Sequence, residues 1–229
     1  PKMSIRPRPI SNPETRFYAS SVSPESAELI AKMGFGMLVI MQNEWAKAAQ
    51  DVVSFREMTA SVGHTPRPPI VSTNIACASS RAEAEDLALG YLGAKWDSIE
   101  NHYKFSDGGL ANVKGYEAYG KMAKTYSKMK DPSFRSKANE FYVSIQVVGT
   151  PDECLEQVTE LRRLTGVEHL VGEFSFGGMP HEQAEQNLRL FAEKCLPTLK
   201  HDPSFNVPIT PAGELETFEA KHEDVFAPA

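Results

Sequence analysis

The sequence has little of what marks several common functional classes. Only three cysteines occur in 229 residues. Cys77, Cys154 and Cys195 lie far apart, which predicts reduced core residues of a cytoplasmic protein rather than a disulfide framework. No apolar run approaches the roughly 20 residues of a membrane span, and no stretch resembles a signal peptide. A formal net charge of -6 argues against nucleic acid as a partner, because binding phosphates requires clustered Lys and Arg.

Familiar catalytic and cofactor motifs are also missing. The chain has no Walker loop, Cys-x-x-Cys pair, Gly-x-Ser-x-Gly elbow or Gly-x-Gly-x-x-Gly fingerprint. His181-Glu182 begins like a zinc-binding His-Glu-x-x-His motif, but Glu185 stands where the second histidine is required, so no metal site is expected. Glu173 lies within a predicted strand, where it either lines a cavity or forms a structural ion pair.

What the chain does have is an alternation of short apolar runs and longer helical periods. This alternation is typical of βα units around a parallel sheet. Four clear units are predicted, and an extra short strand over 141–148 would bring the strand count to five. The predicted strands are 16–20, 36–41, 69–77 and 169–176; the predicted helices are 24–34, 43–62, 80–96, one from Thr150 to Gly166, and 181–196.

The same pattern divides the chain into segments. Residues 1–15 are predicted to be a linker, 16–199 an α/β domain, and 200–229 a tail. Within the domain, residues 98–140 are rich in glycine, aromatic residues and lysine and form an insertion too long for a simple βα connection. A mobile lid or partner-binding excursion, and a helical hairpin whose aromatic side chains pack on the domain, are both open and mutually compatible.

A serine-rich turn joins the first predicted strand to its helix. Ser23 is a good N-cap, and Pro24 suits the first helical position. Free N–H groups at such a helix start bind anions, phosphate above all, although an ordinary capped helix uses the same residue types. The hydroxyls close to this turn are those of Ser20, Ser21, Ser23 and Ser26.

A second loop with suitable chemistry follows the last predicted strand. Gly177 and Gly178 lack side chains, so their backbone can approach a ligand closely, although a plain tight turn also explains them. Both loops follow the carboxyl ends of predicted parallel strands, which is where α/β barrels bind their ligands.

Three blocks of the sequence together resemble the carboxyl half of bacterial luciferase-like flavin monooxygenases. The blocks are Ala19 to Gly34, Val148 to Cys154, and Phe174 to Pro180 with the downstream Leu190 to Pro197. The resemblance covers about residues 4–199. It implies a (β/α)8 TIM barrel, of which this chain would supply the last four βα units plus the insertion. It also implies a monooxygenase that uses reduced FMN, usually supplied by a flavin reductase, and O2 to oxidise a small organic substrate.

The resemblance assigns roles by position. The flavin phosphate would bind Ser23 and Ser26, supported by Ser20, Ser21 and the Val22 backbone, and the isoalloxazine ring would lie beside Met41 and Gln42. The insertion matches the family's mobile active-site loop. The catalytic residues remain unknown, because the family's first half has no counterpart here. The chain would therefore pair with an N-terminal half or form a homo-oligomer. A deazaflavin-dependent oxidoreductase and a non-catalytic flavin-binding subunit of a two-chain assembly are the alternatives.

Overall fold

The computed structural model describes residues 6–8, 10–11, 16–20, 24–109, 113, 123, 125–208 and 211. Much of the predicted linker, the centre of the predicted insertion and most of the predicted tail lie outside these residues. Five strands and seven α-helices are described. The strands are β1 (Tyr18–Ser20), β2 (Gly36–Ile40), β3 (Ile70–Cys77), β4 (Val147–Gly149) and β5 (His169–Glu173). The helices are α1 (Pro24–Lys32), α2 (Trp45–Ser61), α3 (Arg81–Tyr103), α4 (Pro132–Ser144), α5 (Pro151–Thr165), α6 (His181–Lys194) and α7 (Leu196–His201).

All five strands are parallel, and β3 is the centre of the sheet. The order β1, β2, β3 is followed by β5 on the far side of β3. β4 pairs with the last residues of β3, from Ile75 to Cys77. β4 lies on the same side of β3 as β2. The Ser72 carbonyl accepts from Met41 N, just after β2, and the Ala78 N–H donates to Gly149 O of β4. Residues an even number apart in a strand point their backbone groups to the same side, so both bonds leave β3 in the same direction. The predicted α/β fold with a parallel sheet is confirmed.

The strand faces differ in what covers them. On one face of β3, Ile75 and Cys77 pack in a buried cluster with residues of α5 and α6, including Cys154, Val158 and Phe191. We call this the Ile75 face. On the opposite face, Ser72 and Asn74 hydrogen-bond to polar side chains, and we call it the Ser72 face. The alternation follows from the two-residue period of a strand.

Several predicted boundaries are confirmed, and their caps explain them. Ser80 accepts a hydrogen bond from Glu83 N at the start of α3. Thr150 and Glu153 form the predicted capping box at the start of α5, and Gly166 ends that helix in the left-handed region. The strand count of five is also within the predicted range.

Two predictions are wrong. The aromatic and β-branched run from Phe141 to Ile145 ends a helix rather than forming a strand, because the Asp131 side chain caps α4 and Pro132 occupies its first turn; only Val147–Gly149 is extended. The helix predicted to end at residue 196 ends at Lys194 instead, and a separate helix, α7, begins at Leu196. Pro197 lies in the first turn of α7, where its missing N–H costs nothing.

The predicted insertion is helical at both ends. α3 runs to Tyr103, beyond the predicted end at residue 96, and α4 begins at Pro132 and packs against α3. The start of the predicted tail is held in place, since Arg162 of α5 donates to the carbonyls of Ser204 and Val207. Within the described part of the chain, no helix combines the length and apolar character needed to cross a membrane.

Candidate functional site

The carboxyl ends of the strands define one edge of the sheet. β1 ends at Ser20, β2 at Ile40, β3 at Cys77 and β5 at Glu173. Because the strands are all parallel, the segments that follow these residues leave the sheet on the same side. Both predicted cofactor loops, the serine turn after β1 and the glycine loop after β5, therefore begin at this edge, as expected for ligand sites of α/β sheets.

The serine turn is described only at its two ends. Ser20 is exposed at the end of β1, and Ser26 is half-buried in the first turn of α1. Ser21, Val22 and Ser23 lie outside the described residues. Arg67 fixes the opposite end of β1, where it donates to the Phe17 carbonyl at 2.9 Å and lies 4.9 Å from the centre of the Tyr18 ring.

Met41 and Gln42 follow β2 but differ in accessibility. The Met41 side chain is 1% exposed and belongs to the main hydrophobic core. Its backbone carbonyl accepts from Gln146 Nε2 at 3.1 Å. The Gln42 side chain is exposed. Of these two predicted ring neighbours, only Gln42 has a side chain that a ligand at this edge can contact.

Gly177 and Gly178 form the turn after β5, and both have positive φ, 60° and 78°. A Cβ at Gly177 would collide with the Tyr91 carbonyl of α3, so this glycine is required for the loop to pack on that helix. Gly178 faces open space, with no heavy atom within 4 Å of its ideal Cβ position. Close packing explains Gly177, while Gly178 leaves room for a ligand.

An ion pair lies on the Ser72 face. Lys95 of α3 donates to Glu173 Oε2 at 2.7 Å and to Asn74 Oδ1 at 2.8 Å. Ser72 Oγ donates to the other carboxylate oxygen of Glu173 at 3.2 Å. The ion-pair alternative for Glu173 is confirmed. The sequence does not predict Lys95 as the partner of Glu173, because nothing around a lysine in a long helix indicates which distant carboxylate it will contact.

Gln146 joins this ion pair to the core. Its Oε1, with the residue 1% exposed, accepts from Asn74 N at 2.9 Å, from Asn74 Nδ2 at 2.9 Å and from Thr73 Oγ1 at 3.0 Å. Tyr142 OH accepts from Asn74 Nδ2 at 3.3 Å. Burial raises the pKa of Tyr142 to about 12, so the phenol stays neutral. Three successive polar residues, Ser72-Thr73-Asn74, in a buried strand were the available signal of this network.

Asn187 of α6 completes β3 on its other side. Its Oδ1 accepts from Cys77 N at 2.8 Å, and its Nδ2 donates to Ile75 O at 2.6 Å and to Phe174 O at 3.2 Å. The pairing of β5 with β3 ends at Asn74 of β3. The Asn187 side-chain amide therefore bonds the backbone groups of Ile75 and Cys77 that a longer β5 would otherwise pair with. This buried amide holds the carboxyl end of β3 in place.

The Ser72 face retains exposed apolar side chains. Ile40 of β2 and Val171 of β5 are the residues in register with Ser72. They are 46% and 48% exposed. A row of apolar surface therefore crosses the sheet beside Ser72 and close to Gln42, and the polar network borders it.

Comparisons with known proteins agree with this architecture. The monooxygenase RslO1 from Streptomyces bottropensis superposes with a TM-score of 0.53 at 23% identity, over 84% of this chain and 50% of its own. Flavoprotein 390 gives a TM-score of 0.51 at 10% identity, over 83% of this chain and 68% of its own. These two likenesses show a shared fold.

A third solved structure is the oxygenating constituent of 3,6-diketocamphane monooxygenase from Pseudomonas putida, a type II Baeyer-Villiger monooxygenase in complex with FMN. Its TM-score is 0.49 at 19% identity, over 79% of this chain and 47% of its own. This chain thus spans about half the length of RslO1 and of the Pseudomonas protein.

The family model of luciferase-like monooxygenases matches residues 1–169. The match includes β1 to β4, the serine turn, Gln42, Lys95 and Gln146, and it covers well over half of the 229 residues. The chain therefore belongs to the luciferase-like monooxygenase family.

Proposed function

We propose that this chain takes part in a flavin-dependent monooxygenase reaction, in which reduced FMN and O2 oxidise a small organic substrate. The observation that carries the proposal is the placement of Ser20, Ser26 and Gln42 around one edge of a parallel sheet, in a chain of the luciferase-like family. A flavin reductase is the proposed source of the reduced cofactor.

The residues at this edge fit the phosphate of FMN. Ser20 and Ser26 supply hydroxyl donors, and α1 is a nine-residue helix whose amino end faces the edge. Backbone N–H groups and the positive end of a helix favour an anion. Ser21, Ser23 and the Val22 backbone complete the proposed phosphate site. Glu25 in the same turn is exposed, so solvent screens its charge.

The neighbouring surface fits a flat aromatic ring system. Gln42 offers an amide that can donate to or accept from the ring's polar edge. Ile40 and Val171 offer exposed apolar contacts on the Ser72 face, and Gly178 leaves space after β5. Met41 takes part only indirectly, by fixing the end of β2, because its side chain belongs to the core and its backbone N–H and carbonyl bond to Ser72 and Gln146. Bound there, reduced FMN would supply the electrons that activate O2.

The described sheet supports the proposal that the chain is one half of a (β/α)8 barrel. Among the described residues, β1 pairs only with β2, and β5 only with β3. Both strands thus have an edge available to further strands, which an isolated sheet must cover. The exposed Ile40 and Val171 would then be covered by a complementary N-terminal half, or by a second copy in a homo-oligomer.

The proposal is tested by titrating the full chain with reduced FMN under anaerobic conditions. Replacing the two serines of the turn, Ser23→Ala with Ser26→Ala, removes two hydroxyl donors to the phosphate. We expect FMN binding to weaken by about 1 to 3 kcal/mol. Ser20→Ala is expected to act in the same direction with a smaller effect, because Ser20 lies farther from the helix start.

The matched control is Ser61→Ala. Ser61 ends α2, whose carboxyl end precedes β3 and so lies at the opposite edge of the sheet, and its hydroxyl bonds to the Met58 carbonyl. Its FMN affinity should equal that of the parent protein. Equal affinities for all variants would rule out the serine turn as the phosphate site. Binding of a reduced deazaflavin in preference to FMN would instead favour the hydride-transfer alternative, and flavin binding without substrate oxidation would favour the subunit alternative.

A further inference from the structure

The three cysteines, which are far apart in the sequence, meet in one cluster. Cys77 ends β3, Cys154 lies in the first turns of α5, and Cys195 lies between α6 and α7. Each is at most 2% exposed, and all three belong to the cluster on the Ile75 face. They are free thiols, and among the described residues no group of three His, Cys, Asp or Glu side chains could hold a metal ion.

The three thiols have unequal surroundings. Cys154 Sγ lies 3.6 Å from the Gly149 carbonyl oxygen, and Cys195 Sγ lies 3.4 Å from the Pro151 carbonyl oxygen. Each of these thiols also faces the Cys77 sulfur, with Cys154 the stronger partner, so its one proton is shared between a backbone oxygen and Cys77.

These surroundings favour Cys77 as the thiolate. Hydrogen bonds from the other thiols, Cys154 first, hold the pKa of Cys77 below its usual range. The hydrogen bond to Cys77 and burial raise the pKa of Cys154. Burial raises the pKa of Cys195 to about 12. A thiolate rather than a thiol is the nucleophile in sulfur oxidation.

Backbone contacts hold Cys77 and Cys154 next to each other. Cys77 pairs with Gly149 in the sheet, and its N–H donates to the Asn187 side chain. Cys154 follows Gly149 by five residues, and its N–H donates to the Thr150 carbonyl within the capped first turn of α5. The two sulfur atoms are therefore positioned by the sheet and by a helix cap, independently of any loop.

A cavity large enough for a small oxidant borders Cys77. It measures about 300 Å³ and is lined by Cys77 together with Ser79, Gln183, Gln186 and Asn187, among others. A water-sized molecule needs roughly 30 Å³, so hydrogen peroxide fits easily. The hydroxyl and amide groups of the lining can hydrogen-bond to it.

We propose that Cys77 and Cys154 are a peroxide-reactive pair that closes to a disulfide. The Cys77 thiolate attacks one oxygen of hydrogen peroxide; an S–O bond forms, the O–O bond breaks, and the departing hydroxide leaves as water after taking up the proton that Cys77 has released. The Cys154 sulfur then attacks the sulfur of the Cys77 sulfenic acid; an S–S bond forms, the S–O bond breaks, and the departing hydroxide takes up the Cys154 proton and leaves as a second water. The two thiols are oxidised by two electrons, and one peroxide is reduced to two waters.

The test is a disulfide map of the full chain after treatment with hydrogen peroxide. The reaction is quenched with catalase, and the chain is denatured, alkylated and digested without reductant. We expect a linked peptide containing Cys77 and Cys154, a fall from three alkylatable thiols to one, and full reversal by dithiothreitol.

Two variants separate the roles. Cys195→Ala should form the same link, while Cys154→Ala should stop at a sulfenic acid on Cys77, trapped as a dimedone adduct. The proposal is overturned if three thiols remain free in the native protein at peroxide concentrations that oxidise a small thiol. It is equally overturned if the link contains Cys195, or if dimedone labels Cys195 instead. The map of the unaltered chain decides the matter even if a variant does not fold.

Discussion

The two faces of the central strand β3 contrast sharply. On the Ile75 face, apolar side chains and thiols pack against α5 and α6. On the Ser72 face, Ser72 and Asn74 bind Lys95 and Glu173, and the flanking Ile40 and Val171 stay exposed. One face is thus completed by this chain's own helices, while the other carries charges and apolar surface that a ligand or a further protein surface can cover. The contrast supports the Ser72 face as the proposed functional side of the sheet more directly than any single motif.

Gln146 is the residue whose loss should disturb this contrast most. It accepts from Thr73 and Asn74, whose side chains leave β3 on opposite faces, and it donates to Met41 at the end of β2. Gln146→Ala removes the Gln146 bonds of the Asn74 N–H and the Met41 carbonyl, and it leaves Asn74 Nδ2 and Thr73 Oγ1 with one hydrogen bond each. This should lower the free energy of unfolding by roughly 3 to 5 kcal/mol. Urea unfolding measures the loss. Gln50→Ala, an exposed glutamine of α2, should change stability by less than about 0.5 kcal/mol; similar losses in both would refute the role of the network.

The Ile75 face is tested by two isoleucines in different surroundings. Ile75 is 1% exposed in the apolar cluster, and Ile40 is 46% exposed on the Ser72 face. Ile75→Ala should cost about 2 to 4 kcal/mol through lost burial and the cavity left behind. Ile40→Ala should cost less than about 1 kcal/mol. A comparable loss of unfolding free energy at both positions, measured by urea unfolding, would mean that a second copy of the chain already covers Ile40. Diluting the protein would then separate the copies and reduce the loss at Ile40.

Much of the fold was predictable because it rests on local chemistry. Strand runs, the Thr150 capping box and the glycine that ends α5 are fixed by residues close in sequence. The error over Phe141 to Ile145 arose because aromatic and β-branched residues suit strands, whereas Asp131 and Pro132 upstream start a helix that buries Phe141 and Tyr142. A cap ten residues away outweighed local strand propensity.

The candidate site was predictable only in part. The serine turn and Gln42 follow strand ends, and strand ends can be located from the sequence. The partners of Asn74 cannot, since Gln146 lies 72 residues away along the chain, and the Asn187 amide that supports Cys77 lies 110 residues away. The meeting of three distant cysteines is likewise a product of topology. Local patterns predict which edge of the sheet carries the proposed site, and tertiary packing decides which side chains are available there.

The buried phenol of Tyr142 makes the stability of the protein depend on pH. Its folded pKa of about 12 lies above the unfolded value of 10.0, mainly because of burial. The unfolded chain therefore loses the phenolic proton first, so this contribution is complete below pH 10.0 and is lost as the pH rises towards 12. The parent protein should lose roughly 2 kcal/mol more than Tyr142→Phe across this window. Urea unfolding at successive pH values measures the difference. Tyr103→Phe, at a 55% exposed position, should follow the parent, and parallel curves for parent and Tyr142→Phe would contradict the burial argument.

The smallest expected effect concerns the ion pair between Lys95 and Glu173. Their side chains are 22% and 38% exposed, so solvent screens the attraction, and a double-mutant cycle with Lys95→Met and Glu173→Gln should give a coupling of about 1 kcal/mol. The more exposed pair of Arg135 and Asp97, at 39% and 51%, is the control and should couple less. If the Ser72 face is a binding surface, a ligand seated on Ile40 and Val171 would exclude water from Lys95 and strengthen its coupling to Glu173. Measuring the cycle with and without reduced FMN therefore joins stability to function: an unchanged coupling would place the flavin away from this face.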